Sequence, residues 1–417
     1  ELRDHRGRFR LKPHRAVAVS QDDIVAAAAR IADGVARTPT VQAGALAVRL
    51  GLASLALKLE TLHRTGSFKE RGALNRLLAL SDEERRAGVI TMSAGNHAQA
   101  VAYHAHRLGI PATVVMPAAT PNAKVMRTRA HGATVVLHGE TLSDSAEHAR
   151  ALAAARGLTI VHPYDDDAII AGQGTAAIEL LEDAPALDML VIPVGGGGLI
   201  AGCAVAARVL RPEARVIGVE VEGWTACAQR LAGQAVQTGG ATIAEGIAVR
   251  DIGERPFAII RDHVERVLVV PERAIEEAIG LLAEEAKIVT EGAGAAGIAA
   301  LLAHPTLFSE QNVGVILCGA NIDARILANV LLRDLVRDGR LLRLSVDIAD
   351  RPGVLADVAG RIAEAGGNII DVAHQRLFAA PSVRTAELDL VVEARDAAHG
   401  AEILAALEGA AFRVKRL

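Results

Sequence analysis

Aromatic side chains are scarce: one Trp, two Tyr and six Phe among 417 residues. Half the residues are nonetheless apolar, so Ala, Val and Leu must fill a large core. Cysteine is scarcer still. Cys203, Cys227 and Cys318 stand far apart and form no CxxC, which excludes a disulfide scaffold and reads as free thiols in a reducing, cytoplasmic setting. The histidines show no metal-ligating spacing; His104 and His106, two apart, point to different faces of a helix, so no metal is expected. No sign of charge dominates, and a net charge of −4 gives no global case for nucleic acid or an acidic partner. Residues 1–19, with Arg3, Arg6, Arg8, Arg10, Lys12 and Arg15, read as a loose tail. This stretch lacks the apolar segment of a signal peptide and the aromatics or motif of a nucleic-acid arm. One uncharged run, Met189 to Ala207 between Asp188 and Arg208, has nearly membrane-spanning length. Pro193 and four glycines break that run near its middle, so it reads as strand, turn and short buried helix, with no membrane span.

What is present is an alternation of elements. A helix is expected from Gln21 to Ala32, opened by Ser20 with Asp22 and Asp23 in its first turn. Short apolar runs at 88–92, 112–116, 133–137 and 159–161 read as strands, with helices near 97–108, 121–131 and 142–156 between them. Gly132 and Gly157 close two of these helices. The pattern resumes with strands at 188–193, 215–220, 264–270 and 313–317 and helices near 199–210, 272–287, 294–303 and 323–338. Continuous apolar strands alternating with helices predict an α/β fold with a doubly wound parallel sheet. The length suggests two lobes within 20–340, the smaller inserted at about 65–160, with ligands in the crevice at the strand ends. After Gly339 the pattern becomes strand, helix, strand, strand, helix, strand over 341–417, a βαββαβ module whose plainest role is dimerisation.

The stretch Thr65-Gly66-Ser67-Phe68-Lys69-Glu70-Arg71-Gly72 separates an alternating strand, Leu55–Leu59, from a helical pattern. Ser67 and Glu70 have the spacing of a capping box, so the helix is expected to begin at Ser67. Lys69 then lies in the first turn, where the dipole disfavours its charge and eases deprotonation, the condition for imine chemistry. The alternative is a solvated lysine beside Glu70 and Arg71. Three further loops close strands. Ser93-Ala94-Gly95-Asn96-His97 offers backbone N–H groups at a helix start to a carboxylate, or is a plain tight turn. Gly195-Gly196-Gly197-Gly198-Leu199 suits a phosphate on a helix N-terminus; no Lys-Ser/Thr follows to make a P-loop, and no GxGxxG marks a dinucleotide. Cys318-Gly319-Ala320-Asn321 presents a thiol with no adjacent His or acid, which favours hydrogen bonding over nucleophilic attack. An imine-forming lysine with a phosphate cradle points to pyridoxal 5′-phosphate.

These residues carry a resemblance. Together with Thr242–Gly246 and Thr290–Gly294, and in the family's order, they make the chain similar to the L-threonine dehydratases (threonine ammonia-lyases), pyridoxal-phosphate enzymes of the tryptophan-synthase-β type, fold type II. Residues 341–417 resemble an ACT domain. The resemblance implies a two-lobed fold and β-elimination from L-threonine and L-serine, giving 2-oxobutanoate or pyruvate and ammonia, as in isoleucine biosynthesis. By position it implies that Lys69 links the cofactor and then takes the Cα proton. Phe68 lies by the ring and Asn96 bonds its 3′-oxygen. Gly195, Gly196, Gly197, Gly198 and Leu199 hold the phosphate, and Cys318 faces the pyridine nitrogen. Ser93, Ala94, Gly95, Asn96 and His97 surround the substrate carboxylate, with Glu245, Gly246 and Glu291 near its amine or hydroxyl side. At the ACT module it implies an allosteric amino-acid effector held at the seam of a module pair by Asp350, Pro352, Gly353 and Asn368, and a homodimer or homotetramer. Serine racemase is the rival within this fold, but Ala94 stands where a second acid–base hydroxyl is expected. That enzyme's divalent-metal carboxylates are incomplete here, with Glu220 in place but Trp224 and Ala226 beside it. A hydroxyaspartate ammonia-lyase is the closer rival. From another class, a nucleotide-binding regulator would use the glycine loop but has no need of Lys69.

Overall fold

The computed structural model describes residues 19–376 and 384–417. Of the expected tail, residues 1–18 lie outside this range and Val19 is buried. The chain divides into two compact units, Glu1–Ile322 and Asp323–Leu417. The division falls ahead of the Gly339 boundary read from composition, because the helix Ala324–Arg337 packs on the first strand of the C-terminal unit.

The first unit contains two sheets. β1 (Thr40–Gln42), β2 (Ser54–Lys58), β7 (Met189–Pro193), β8 (Arg215–Val221), β9 (Arg266–Val270) and β10 (Asn312–Ile316) form the larger, in the order β1-β2-β10-β7-β8-β9. It is parallel except for β1, a short antiparallel edge strand that sequence reading did not anticipate. β3 (Val89–Met92), β4 (Ala112–Met116), β5 (Thr134–Leu137) and β6 (Thr159–Ile160) form the smaller, all parallel, in the order β5-β4-β3-β6. The chain leaves the larger sheet after β2, builds the smaller one and returns at β7. The buried runs at β7 and β10 are apolar on both faces because helices cover both, the signature of a doubly wound sheet.

The return is made by a 17-residue helix, Asp167–Asp183, absent from the sequence-based expectations. Eleven of its residues are buried, on all sides, so no amphipathic stripe betrays it. Its glycines permit close packing. A Cβ on Gly172 would lie 2.6 Å from Gly72 Cα, and one on Gly174 2.7 Å from the Gly202 carbonyl oxygen. The helix expected at 272–287 is α-helical over Glu272–Leu281, continues as a π-turn over Leu282–Ala286 and stops at Lys287, which has φ 59°.

The C-terminal unit is an antiparallel sheet in the order β12-β13-β11-β14, built from β11 (Leu341–Ala349), β12 (Asn368–Gln375), β13 (Thr385–Glu393) and β14 (Arg413–Arg416). Strict alternation separates its faces. Leu342, Leu344, Val346, Leu388, Leu390 and Val392 are buried in a core with Val358, Ile362, Ile403 and Leu407 from the helices Val354–Glu364 and Ala397–Gly409. The residues between them carry polar pairs, among them Arg343 with Asp389 at 2.7 Å.

Candidate active site

Four crossings of the chain meet at the carboxyl ends of β2, β3, β7 and β10. Ser67 bridges Gly319, and Phe68 N–H donates to the Cys318 carbonyl at 3.0 Å, so the lysine loop is pinned to the cysteine loop. The capping box expected at Ser67 does not form. The helix runs Lys69–Leu78 with Phe68 as its N-cap, and Ser67 Oγ is buried without a partner. Glu70 is turned inward: its carboxylate accepts from Thr65 N–H and pairs with His104 Nε2 at 3.2 Å. Arg71 is buried too, forked onto Glu60 and Glu179. With both charged neighbours withdrawn, Lys69 alone reaches the cavity wall, where Nζ donates to the Pro163 carbonyl at 2.8 Å. Burial pulls its ammonium down to about 8, against the opposing pull of Cys318 and Glu291.

The cavity it faces measures about 1130 Å³. Phe68, Ser93, Ala94, Gly95, Asn96 and His97 all line it. So do the loop Gly195–Leu199, then Glu245, Gly246, Glu291 and Cys318, so every residue expected at this site reaches one space. The helix Asn96–Arg107 starts there with no side-chain cap, leaving its first N–H groups open toward a carboxylate. The His97 ring does not add a charge to that site. Nε2 meets the Val161 carbonyl at 3.1 Å, and burial followed by nearby Lys69 drives its pKa to about 3. The helix Gly198–Leu210 also begins uncapped, behind Gly197 in the left-handed region at φ 89°. A Cβ on Gly196 would strike the Tyr164 ring at 2.2 Å.

A polar chain joins the loops. Asn96 Nδ2 donates to Glu291 Oε1 at 2.7 Å, and Asn321 Nδ2 donates to Asn96 Oδ1 and to the Thr65 carbonyl, each at 2.7 Å. Burial lifts Glu291 to about 7 and keeps the Cys318 thiol well above its ordinary range, so Cys318 is neutral. Sequence reasoning missed Tyr164, Lys124, Arg127 and Arg150. Tyr164 is aromatic in a loop with no pattern. The other three sit on helices, and only the fold shows which way they face. Lys124 forms an ion pair with Glu245 across the mouth. Glu220, considered as a metal carboxylate, instead accepts from Cys227 N–H at 2.8 Å and Ala228 N–H at 2.9 Å, with burial raising it to about 7. Among the described residues no group of three or more His, Cys, Asp or Glu is placed to hold a metal, and no helix is long and apolar enough to cross a membrane.

The expected effector residues do not converge within one chain. Asp350, Pro352 and Gly353 follow β11 at its Ala349/Thr385 end, whereas Asn368 pairs with Glu393 at the Leu341 end. The length of β11 separates them by about 27 Å. Asp350 is bonded to Arg376 at 3.1 Å and Asn368 to Glu393 at 3.1 Å, so the one ligand expected at a seam between two modules would have to take the turn from one module and Asn368 from the other. Gly353, at φ 91°, opens the helix Val354–Glu364 without a side-chain cap.

The sequence model of the family described as "Pyridoxal-phosphate dependent enzyme" matches residues 31–319, and that described as "ACT domain" matches 342–409. The L-threonine ammonia-lyase of Thermotoga maritima is 39% identical over 399 residues, 95% of this chain and 99% of that protein. The L-threonine ammonia-lyase of Geobacter sulfurreducens is 41% identical over 387 residues, 92% of this chain and 96% of that protein. Among solved structures, the processed form of threonine deaminase isoform 2 from Solanum lycopersicum aligns with a TM-score of 0.70 and 36% identity over 75% of this chain and 88% of that one. Maize serine racemase aligns with a TM-score of 0.71 and 34% identity over 77% and 99%.

Proposed function

The chain belongs to the pyridoxal-phosphate-dependent enzymes and ends in an ACT domain, and from that premise we propose that it is an L-threonine ammonia-lyase, acting also on L-serine. The residues fit the cofactor. The four glycines are packed so closely that a Cβ on any of them would meet a neighbouring residue at 2.2–3.1 Å, the helix N-terminus behind them is uncapped, and a desolvated amine lines the same cavity. Once bound, the cofactor supplies an electron sink that makes the Cα–H bond of an attached amino acid acidic.

The chain's own groups then divide the work. Gly195 to Gly198 and the start of the following helix hold the phosphate, and Tyr164 keeps the loop in shape. Lys69 provides the attachment amine and afterwards carries the Cα proton on Nζ. The open N–H groups at Ser93–His97 hold the substrate carboxylate, fixing the Cα–H bond toward Lys69. Asn96, held by Glu291 and Asn321, would help hold the cofactor through its remaining amide hydrogen. Cys318, neutral and lining the same cavity, would serve as an uncharged partner for the cofactor, under which the cofactor would supply a weak electron sink suited to loss of a β-hydroxyl. Glu291, kept near neutral pKa by burial, can hold a proton on the side where that hydroxyl leaves. Ala94 carries no hydroxyl to deliver a proton to the opposite face, so racemisation has no second acid–base and L-serine goes to pyruvate.

We read the C-terminal module as the part that assembles subunits and receives an amino-acid effector, a branched one such as isoleucine, at the open turn Asp350–Gly353. The observation that carries the catalytic reading is Lys69, the amine held at about 8 opposite the glycine loop. Lys69→Ala tests it: the visible absorbance of lysine-bound cofactor and the deamination of threonine should both vanish while circular dichroism is unchanged. Full turnover by this variant without added amine would end the proposal.

A further inference from the structure

The turn between β6 and the helix Asp167–Asp183 touches both halves of the cofactor site, and one side chain organises it. Before the turn, Val161 is fixed: its N–H donates to the Ile90 carbonyl at 2.9 Å and its carbonyl accepts from Thr91 Oγ1 at 2.8 Å. After it, Asp166 caps the helix by accepting from Ile169 N–H at 3.0 Å. His162, Pro163, Tyr164 and Asp165 lie between, and Pro163 has no N–H to give. The next two N–H groups, of Tyr164 and Asp165, both donate to His162 Nδ1, at 3.3 and 2.8 Å. A ring nitrogen that accepts carries no proton, so this imidazole is neutral with its hydrogen on Nε2. Burial keeps it neutral, with Lys69 and Arg255 pulling the same way and Asp165 and Asp166 opposing. The turn presents two things to the cavity that His162 also lines. The Pro163 carbonyl accepts from Lys69 Nζ at 2.8 Å, and the Tyr164 ring packs where Gly196 has no side chain. The His162 and Tyr164 rings meet edge-on, their centroids 4.8 Å apart. The other ties of the turn run to the larger lobe: Tyr164 Oη donates to the Asp251 carbonyl at 3.3 Å, and Arg255 N–H to Asp165 Oδ1 at 3.0 Å. Neither ties down Pro163.

We propose that His162 is a positioning residue for the cofactor site: by gathering two backbone N–H groups on Nδ1, it sets the Pro163 carbonyl for the Lys69 amine and the Tyr164 ring for the glycine loop. The inference rests on the reading of Lys69 and Gly195–Gly198 as the groups that attach and cradle the cofactor. An amine with one N–H committed to a fixed carbonyl has fewer directions for its lone pair, so Nζ waits aimed instead of swinging on its methylene stem. Without Nδ1, two backbone N–H groups lose their acceptor, and the turn has to rearrange to find them another. Asparagine is the informative replacement. Its Oδ1 stands as many bonds from Cα as Nδ1 does and accepts in the same place, whereas the glutamine amide reaches one bond further, as Nε2 does.

The test uses the full chain stripped of cofactor and compares wild type with His162→Ala, His162→Asn and His162→Gln. Capture of pyridoxal 5′-phosphate is followed by absorbance across pH. Binding of pyridoxamine 5′-phosphate, which has no aldehyde and reports the cradle alone, is measured by calorimetry. His162→Ala and His162→Gln should each slow capture and weaken pyridoxamine phosphate by roughly tenfold, the size of one lost hydrogen bond. Both should also move the pH at which capture levels off away from about 8. His162→Asn should stay within about threefold of wild type on both measures and leave that pH in place. A histidine that only stabilised the fold would lower the urea midpoint without moving that pH. Asn and Gln variants that behave alike, both impaired or both intact, overturn the inference, as does one levelling pH shared by all four chains. Loss of capture in Lys69→Ala with the His162 variants at wild-type rates ends the role of His162 and keeps the lysine; unchanged capture in Lys69→Ala ends both. Wild type that behaves as expected here but releases no ammonia from threonine keeps His162 in its role and removes the ammonia-lyase reading instead.

Discussion

Lys69 owes its chemistry to what its neighbours do not do. Glu70 and Arg71 are both turned into the protein, so neither carboxylate nor guanidinium screens the amine, and burial lowers it to about 8. The neutral fraction of a group with this pKa rises as pH climbs through 8 and then levels. Capture of pyridoxal phosphate by cofactor-free enzyme should therefore accelerate up to about pH 8 and flatten above it, followed by stopped-flow absorbance. An ordinary lysine, at 10.5, would still be accelerating two units later. Cys318 supplies a second expectation. Its buried thiol is neutral, so Cys318→Ser should retain most threonine turnover, with the cofactor band little altered. A dead serine variant, together with a covalent substrate adduct on wild-type Cys318 in mass spectrometry, would make the cysteine a nucleophile instead. The place of Lys69 at a helix start was legible in its octapeptide, but the cap was not. Ser67 and Glu70 have the right spacing, yet Thr65 N–H and His104 compete for the Glu70 carboxylate, and both become neighbours only in the fold.

At the scale of elements, the motifs were read from strand ends and the framework from periodicity, and the two differ in how they fail. Loops at the ends of β2, β3, β7 and β10 were placed correctly because each follows a short apolar run. The helix Asp167–Asp183 was missed because small and apolar residues surround it, so it has no polar side to set the period. Its packing depends on glycine rather than on a hydrophobic stripe. A Cβ on Gly202, in the helix Gly198–Leu210, would sit 2.2 Å from the Ile170 carbonyl oxygen and 2.6 Å from Gly174 N, both backbone atoms that cannot step aside. Gly202→Ala should destabilise the first unit by about 1–3 kcal/mol, the usual cost of overpacking, read from urea unfolding. Since the helix that carries Gly202 starts at the glycine loop proposed to hold the phosphate, a parallel loss of cofactor affinity is expected in the same titration.

For the whole molecule, the βαββαβ order of the C-terminal unit was legible from alternation, whereas the separation of Asp350–Gly353 from Asn368 follows from strand register, which no sequence pattern displays. Ending the chain at Ile322 leaves the first unit with both its sheets. That variant should keep its cofactor absorbance and deaminate threonine, while any change of rate on adding isoleucine to the full chain should disappear; a truncated chain that loses its cofactor band or precipitates would assign the module to assembly alone. The detour between β2 and β7 bears on how the protein is made. β2 lies between a three-residue edge strand and β10, and its parallel partner Asn312 is 258 residues downstream of Ser54. A ribosome adding about 5–20 residues per second emits that partner roughly 13–50 s after β2. Throughout that interval an apolar strand, with one side of its backbone unpaired, waits outside the exit tunnel while the smaller lobe, complete in sequence order, can already fold. Nascent chains arrested before β10 should therefore be held by chaperones that cover extended apolar segments, and released once synthesis passes Ile316.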